Sequence, residues 1–159
     1  MRKLWLGPHG LHVEPAEAGD AEELGRIHGL GFSRGWSREE MVQFLEQTEC
    51  IVLVACDARR RIAGFIIVRL IGDEAELLSI AVDPKWRGKR VGQALLRAAL
   101  DDLLFSAARR MFLEVDERNL AALRLYRGHG FVEVGKRKGY YPHPDGSTAT
   151  ALVMAADLG

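Results

Sequence analysis

Three apolar runs joined by short polar turns, between Ile51 and Val82, constrain the fold more than any other feature of this sequence. Ile51 to Ala55 and Ile62 to Ile71 are rich in β-branched residues and are separated by Asp57-Ala-Arg-Arg-Arg61; Ala75 to Val82 follows the turn Gly72-Asp-Glu74. Connections this short join antiparallel neighbours, because a parallel pair needs a crossover of about a dozen residues or more. The middle of the chain is therefore expected to be an antiparallel meander, to which the rest of the fold must attach.

On its N-terminal side, Leu11 to Pro15 reads as a first strand. Asp20 to Phe32 reads as a helix, with Ala21, Leu24, Ile27, His28 and Leu30 at roughly helical spacing and glycines at its exit. Ser37-Arg-Glu-Glu40 is a capping box that opens a second helix running to about Thr48, with Met41, Phe44 and Leu45 on its apolar face. On the C-terminal side, Asp83-Pro84 stops the third strand of the meander, and an amphipathic helix is expected from Val91 to Ala108 on the stripe Leu95, Leu96, Ala99, Leu103, Leu104. Met111 to Asp116 reads as a strand, Asn119 to His129 as a helix closed by Gly130, and Phe131 to Gly135 and Thr148 to Ala155 as strands. The order β-α-α-β-β-β-α-β-α-β-β mixes hairpins with two crossovers, which places the chain in the α+β class with a mixed, mostly antiparallel sheet. No repeat or linker divides its 159 residues, so a single domain spanning 1–159 is expected.

Charge bears on the ligand class. The formal net charge is zero, which gives no global reason to expect nucleic acid or an anionic membrane as partner. Residues 1–82 carry 9 basic and 13 acidic side chains, whereas residues 83–159 carry 13 and 9, so an anionic ligand would favour the C-terminal half. Cys50 and Cys56 lack metal or redox spacing, so no metal is expected and reduced thiols are the default. The opening MRKLWLGPHGL holds only a broken apolar run, and no later stretch approaches the ~20 residues of a membrane span, so a soluble cytoplasmic protein is expected.

Candidate chemistry gathers in the same basic half. Ile80 to Leu96 reads as a strand, a basic glycine-containing loop and a helix N-terminus, an arrangement that binds phosphates through free helix amides and the charges of Arg87, Lys89 and Arg90. An ordinary turn with solvated basic residues is the competing reading. Glu114 stands in the otherwise apolar run Met111-Phe-Leu-Glu-Val115, either on the solvent face of a half-covered strand or as a base in a cleft. Asn119 and Tyr126 are seven residues apart and would share a helix face; the bland readings are an N-cap and a core aromatic. His9, His12, His28, His129 and His143 form no ligand or triad spacing and read as surface or packing residues.

Taken together, VDPKWRGKRVGQALL, LEVDERNLAALRLYRGHGF and VGKRKGYYPHPDG resemble the GNAT superfamily of N-acetyltransferases, and within it the ribosomal-protein-alanine N-acetyltransferase (RimI) family. The resemblance covers about residues 11–157 and is strongest from Ile80 to Gly146. It implies about seven strands and four helices, with acetyl-CoA in a V-shaped opening between strands 75–82 and 110–116. The pantetheine arm would pair with the backbone of Ile80, Ala81 and Val82, and the pyrophosphate would rest on Arg87, Gly88, Lys89, Arg90, Val91, Gly92 and Gln93. Arg90 stands where the superfamily loop has its first glycine. Ser147-Thr-Ala-Thr replaces an acidic pair expected in the nearest relatives.

The same resemblance implies Glu114 as general base, Tyr126 as general acid at the sulfur, a backbone amide near Val82 facing the carbonyl oxygen, and Asn119 orienting the pantetheine arm. The expected acceptor is a protein N-terminal α-amine, that of the N-terminal alanine of a small-subunit ribosomal protein. Alternatives are another protein terminus, a lysine, a small amine, or a non-catalytic acyl-CoA-binding module. An α-amine, with a pKa near ~7.7–8.0 against ~10.4 for lysine, is the easier group for one carboxylate to deprotonate. A nucleotide-binding domain is disfavoured, because neither GxxxxGK[ST] nor GxGxxG is present.

Overall fold

The computed structural model describes residues 3–32, 35–142, 145–146 and 148–159. The meander is present: β3 (Cys50–Cys56), β4 (Ile62–Ile71) and β5 (Glu74–Val82) pair antiparallel in succession. Upstream lie β1 (Trp5–Leu6) and β2 (His12–Pro15), then the helices α1 (Ala21–Gly31) and α2 (Arg38–Glu46). Downstream come α3 (Val91–Leu103), β6 (Arg110–Asp116), α4 (Leu120–Gly128), β7 (Val132–Pro142) and β8 (Thr148–Asp157). The eight strands form one sheet in the order β1-β2-β3-β4-β5-β6-β8-β7. Among the described residues no helix is long and apolar enough to cross a membrane.

Helices cover both faces, so the central strands are buried on both. Leu95, Leu96, Ala99 and Leu103 of α3, with Leu123 and Tyr126 of α4, close one core cluster over Ile66, Val68, Met111, Leu113 and Met154. Ala21, Leu24 and Ile27 of α1 and Met41 of α2 close the other over Val52, Val54, Phe65 and Ile67. Burying each large aliphatic side chain contributes about 1.5–3 kcal/mol, which fixes the helices to the sheet. Ser37 caps α2 by accepting from the Glu40 amide at 3.2 Å, as its capping box predicts.

The expected elements differ from the observed ones at their ends, for local reasons. The strand Trp5–Leu6 is too short to carry an alternation, yet it pairs with β2, and the Trp5 indole donates to Asp101 Oδ2 at 2.8 Å. Helix α3 stops at Leu103 instead of continuing to Ala108. The Ser106 hydroxyl donates to the Leu103 carbonyl at 2.7 Å and accepts from the Ala108 amide, and Leu104 faces solvent instead of joining the apolar stripe. Strand β7 runs past Gly135 to Pro142, but register shifts between Glu133 and Gly135 and between Arg137 and Tyr141 interrupt the alternation that would reveal it.

One bulge matters for function. Ile67 pairs with Ser79 and Val68 with Leu77, so Leu78 is an extra residue in β5. Ala75 and Leu77 face the α3 side before it; Ile80 and Val82 face that side after it. The bulge bends β5 just where it leaves its next neighbour.

Candidate functional site

Among the described residues strands β5 and β6 are the one parallel pair of the sheet, and they hydrogen-bond only briefly: Glu74, Ala75 and Glu76 oppose Arg110, Met111 and Phe112. Beyond that point Leu77 to Val82 and Leu113 to Asp116 have no partner in each other. A parallel pair that parts in this way leaves backbone donors and acceptors along two facing edges, and those groups need partners. Ile80, Ala81 and Val82 lie on the parted edge of β5, where an extended amide-containing ligand would supply them.

The end of that edge leads into the basic loop. Asp83 is buried and accepts from the Lys85 amide at 3.0 Å, turning the chain through a 3-10 turn at Pro84–Trp86. Arg26 of α1 donates to the same carboxylate at 2.8 Å. Burial alone would raise the Asp83 carboxyl, but the Arg26 guanidinium and the Lys85 amide outweigh it and hold it below its ordinary range. The loop then passes through Gly88 at φ +76° and Arg90 at φ +65° before α3 begins at Val91. The first amides of α3, at Val91, Gly92 and Gln93, have no intrahelical acceptor and point out at the positive end of its dipole. Arg87, Lys89 and Arg90 are exposed around them. The Lys89 ammonium lies 5.1 Å from the centre of the Trp86 ring, while the Arg87 guanidinium lies beside Gly31 at the end of α1.

Arg90 thus occupies a left-handed conformation, the one that suits glycine, and it caps the helix through its backbone. Left-handed geometry costs a residue with a Cβ about 1–2 kcal/mol, and glycine returns up to about 1 kcal/mol of that through the freedom of the unfolded chain. Arg90→Gly is therefore expected to stabilise the fold by about 0.5–1 kcal/mol, read as a higher urea midpoint with an unchanged slope. A lower midpoint would mean that the Arg90 side chain holds the loop by a contact that outweighs the strain.

Glu114 and Tyr126 approach the parted strands from opposite faces. Along β6, Met111, Leu113 and Val115 point into the core under α3, so Phe112, Glu114 and Asp116 face the other way. Glu114 is half-buried and lines a cleft of about 170 Å³ with Ile71, Glu74, Glu76, Phe112 and Val153. It is not alone: Arg137 Nη1 donates to Glu114 Oε1 at 2.5 Å. Glu76 in the same cleft accepts from Arg69 Nη2 at 2.8 Å. Tyr126 is buried on the α4 side, its ring edge-on to Phe131 with centroids 5.8 Å apart. It is both a core aromatic and a phenol next to the strand that carries Glu114.

Asn119 fulfils its bland reading, since its side-chain oxygen caps α4 by accepting from the Ala122 amide at 3.2 Å. Its own backbone is not helical, so the seven-residue spacing to Tyr126 does not put the two side chains on a common helix face. The side-chain NH₂ group keeps its donors for a ligand.

His28 is a packing residue: its ring lies between Phe32 and Trp36 at centroid distances of 4.2 and 4.3 Å, and its Nδ1 accepts from the Trp36 amide at 2.9 Å. Burial pushes it down to about 4, so it stays neutral and ties the segment after α1 to the helix. His143 lies outside the described residues.

His12, Glu14 and Cys56 bring potential ligand atoms within 4.8 Å of one another. Their chemistry suits a hydrogen-bonded latch better than an ion. Burial, with Glu14 beside it, pushes the Cys56 thiol up to about 12, so it donates to Glu14 Oε1 at 3.3 Å instead of ionising. Arg60 donates to the same oxygen at 3.0 Å and reaches Asp20 with both terminal nitrogens, placing a cation where a metal would sit.

Sequence reasoning missed Arg137 and the Arg26–Asp83 pair. No spacing signals either, because the partners are 23 and 57 residues apart and meet only through the strand order and the docking of α1.

The sequence profile of the Acetyltransferase (GNAT) family matches residues 21–131. The [ribosomal protein bS18]-alanine N-acetyltransferase of Escherichia coli K12 is 40% identical over 98 residues, which are 62% of this chain and 66% of that protein, just under two thirds of its length. The enzyme of the same name from Haemophilus influenzae is 34% identical over 146 residues, 92% of this chain and 98% of that one. The crystal structure of the ribosomal-protein-S18-alanine N-acetyltransferase from Escherichia coli superposes with a TM-score of 0.86 at 28% identity, covering 94% of both chains.

Proposed function

The chain belongs to the GNAT acetyltransferase family, and from that premise we propose that it acetylates a protein N-terminal α-amine, that of the alanine opening a small-subunit ribosomal protein of the bS18 kind. The observation that carries this reading is the parting of β5 and β6 between a carboxylate on one face and a phenol on the other, in a chain similar along its length to bS18-alanine N-acetyltransferases. Its cosubstrate is acetyl-CoA, which supplies an acyl group already activated as a thioester.

The residues present fit such a cosubstrate. A diphosphate matches the amides of residues 88–93 with Lys89 and Arg90 close by, and the parted edge at Ile80, Ala81 and Val82 offers hydrogen bonds to the amides of a pantetheine arm. Asn119 orients that arm through its NH₂ group. Glu114 takes the proton from the α-ammonium, directly or through one water, so that nitrogen can attack the carbonyl carbon. A backbone amide near Val82 donates to the carbonyl oxygen as charge develops there, and the Tyr126 hydroxyl gives its proton to sulfur as the C–S bond breaks. The nitrogen–carbon bond forms as the carbon–sulfur bond breaks, the second proton of the nitrogen leaves to solvent and the one given to sulfur is replaced from solvent, so no enzyme nucleophile is required.

The acceptor enters from the Glu114 face. Glu39, Glu46 and Glu49 are exposed in or just after α2, and Glu74 and Glu76 line the cleft, so this face favours a basic peptide. The partner is the acceptor protein itself, met in the cytoplasm; the zero net charge supports neither a nucleic acid nor an anionic membrane as a further partner.

The test measures thiol release with three acceptors: an alanine-initiated peptide followed by arginines, an acidic peptide with the same first residue, and free lysine. The basic peptide is expected to react fastest. Its second-order rate should fall as salt rises, since exposed charges are screened beyond ~10 Å at 0.1 M. Equal rates for both peptides would remove the charge steering, and faster reaction of lysine would remove the α-amine reading. Binding of CoA without thiol release from any amine would leave a non-catalytic acyl-CoA-binding module.

A further inference from the structure

Arg137 and Glu114 are held together across an intervening strand. In the sheet order β6-β8-β7, Glu114 is in register with Val153 and Val153 with Gly135, while Arg137 is in register with Ala151. Strands lie about 4.8 Å apart, so the Arg137 side chain must span roughly 9.6 Å of sheet to reach β6. The sequence leaves it a path: Gly135 has no side chain on that row, and Ala151 offers only a methyl group beneath the bridge. The register shifts on either side of residues 135–137 set this short stretch apart from the rest of β7. Within the bridge the guanidinium bonds Glu114 Oε1 at 2.5 Å, and Oε2 has no partner among the described residues.

Charge gives that contact a purpose. The charged groups around the Glu114 carboxylate are Glu74 and Glu76 of β5, with Arg69 of β4 on Glu76; Arg110 and Asp116 on the same face of β6, Arg110 stacked on Phe112; and Arg137 of β7. Strand β8 sets Ala151 and Val153 beside Glu114 and Asp157 opposite Arg110. Carboxylates outnumber cations around the cleft. Negative charge close to an amine favours its protonated form, and a protonated amine cannot attack a thioester. A carboxylate left uncompensated here would hold the acceptor as an ammonium ion instead of releasing a nucleophile.

We propose that Arg137 is a positioning residue for acetyl transfer, which fixes Glu114 through Oε1, leaves Oε2 toward the amine, and offsets the charge that would trap the acceptor as ammonium. This rests on the reading of Glu114 as the base. Arg137 itself touches neither the thioester nor the amine; it acts through Glu114.

The experiment is a double-mutant cycle on the full chain, with an alanine-initiated peptide and acetyl-CoA. Arg137→Gln is expected to lower kcat about tenfold or more at pH 7, within the range that positioned proton transfer contributes, with CoA affinity unchanged. The loss should shrink at pH 9, where the free α-amine is already neutral. Arg137→Lys keeps a cation able to reach one oxygen, and should stay within about threefold of wild type. In the Glu114→Gln background, Arg137→Gln should cost clearly less than it does beside Glu114, because the carboxylate it positions is gone and only its offset of the Glu74 and Glu76 charge remains.

An Arg137→Gln enzyme as fast as wild type would overturn the proposal. So would an equal loss with and without Glu114, since that describes a residue supporting the fold. Loss in Arg137→Lys as large as in Arg137→Gln would do the same. If Arg137→Gln does not fold, the Arg137→Lys comparison in both backgrounds carries the test. Failure of the underlying reading looks different: there Glu114→Gln alone leaves the wild-type rate intact.

Discussion

Glu114→Gln is expected to lower kcat/KM for an alanine-initiated peptide by about 10²–10⁴-fold at pH 7, the usual contribution of a positioned base. The substitution keeps the shape of the side chain and an acceptor for Arg137, so the cleft and the β6–β8–β7 bridge should survive. What is lost is the group that takes the proton. In the variant only amine that arrives neutral can react, and that fraction rises tenfold for each pH unit below the amine's own pKa. The rate should therefore climb by about one decade per pH unit and level off near ~8 for an α-amine, where wild type and variant differ least. With a lysine acceptor the climb would continue toward ~10.4. The pH at which the variant levels off thus reports the class of amine independently of any peptide preference. A variant with the wild-type rate and a flat profile at neutral pH would remove Glu114 from the chemistry and leave positioning of the two substrates as the source of rate.

Much of the architecture behind this prediction can be read from residues that are local in sequence. The meander follows from short turns, α2 from a capping box that Ser37 closes as expected, and α3 from an amphipathic stripe; each depends on neighbours within a few positions. The ends of elements are harder. Leu104 belongs to the stripe by spacing but lies just past the end of α3 at Leu103, and β7 hides its length behind two register shifts. The candidate site divides in the same way. Glu114 stands out because a carboxylate in an apolar strand must be solvated, paired or placed in a cleft; it is half-buried, bonded to Arg137 and lines a cleft. Its partner was not legible, because Arg137 reaches it only after β8, the last strand in sequence, inserts between β6 and β7. Arg90 shows a further limit: the residue type disagrees with the glycine slot, yet the backbone keeps the glycine conformation, which only dihedral angles reveal.

Tyr126→Phe is expected to lower kcat by about 10²-fold or more, with CoA affinity nearly unchanged. The ring should stay where it is, because its burial in the core and its edge-on contact with Phe131 do not depend on the hydroxyl. Removing one buried hydroxyl costs about 1 kcal/mol of stability, which leaves the fold intact. The chemical cost falls on the opposite end of the reaction from Glu114: without the phenol, sulfur must leave as a bare thiolate from a site on the apolar face of β6. The two substitutions therefore probe two proton transfers on two faces of the same strand. If base and acid act in one concerted displacement, the double variant should be little slower than the worse single one. The residual rate then comes from binding both substrates side by side. If they act in successive steps, only the slower step registers, and the single variant at the other step should show a muted effect. A Tyr126→Phe enzyme that keeps the full wild-type kcat would return Tyr126 to the core, where its packing already gives it sufficient reason to be, and would leave solvent as the proton source for the thiolate.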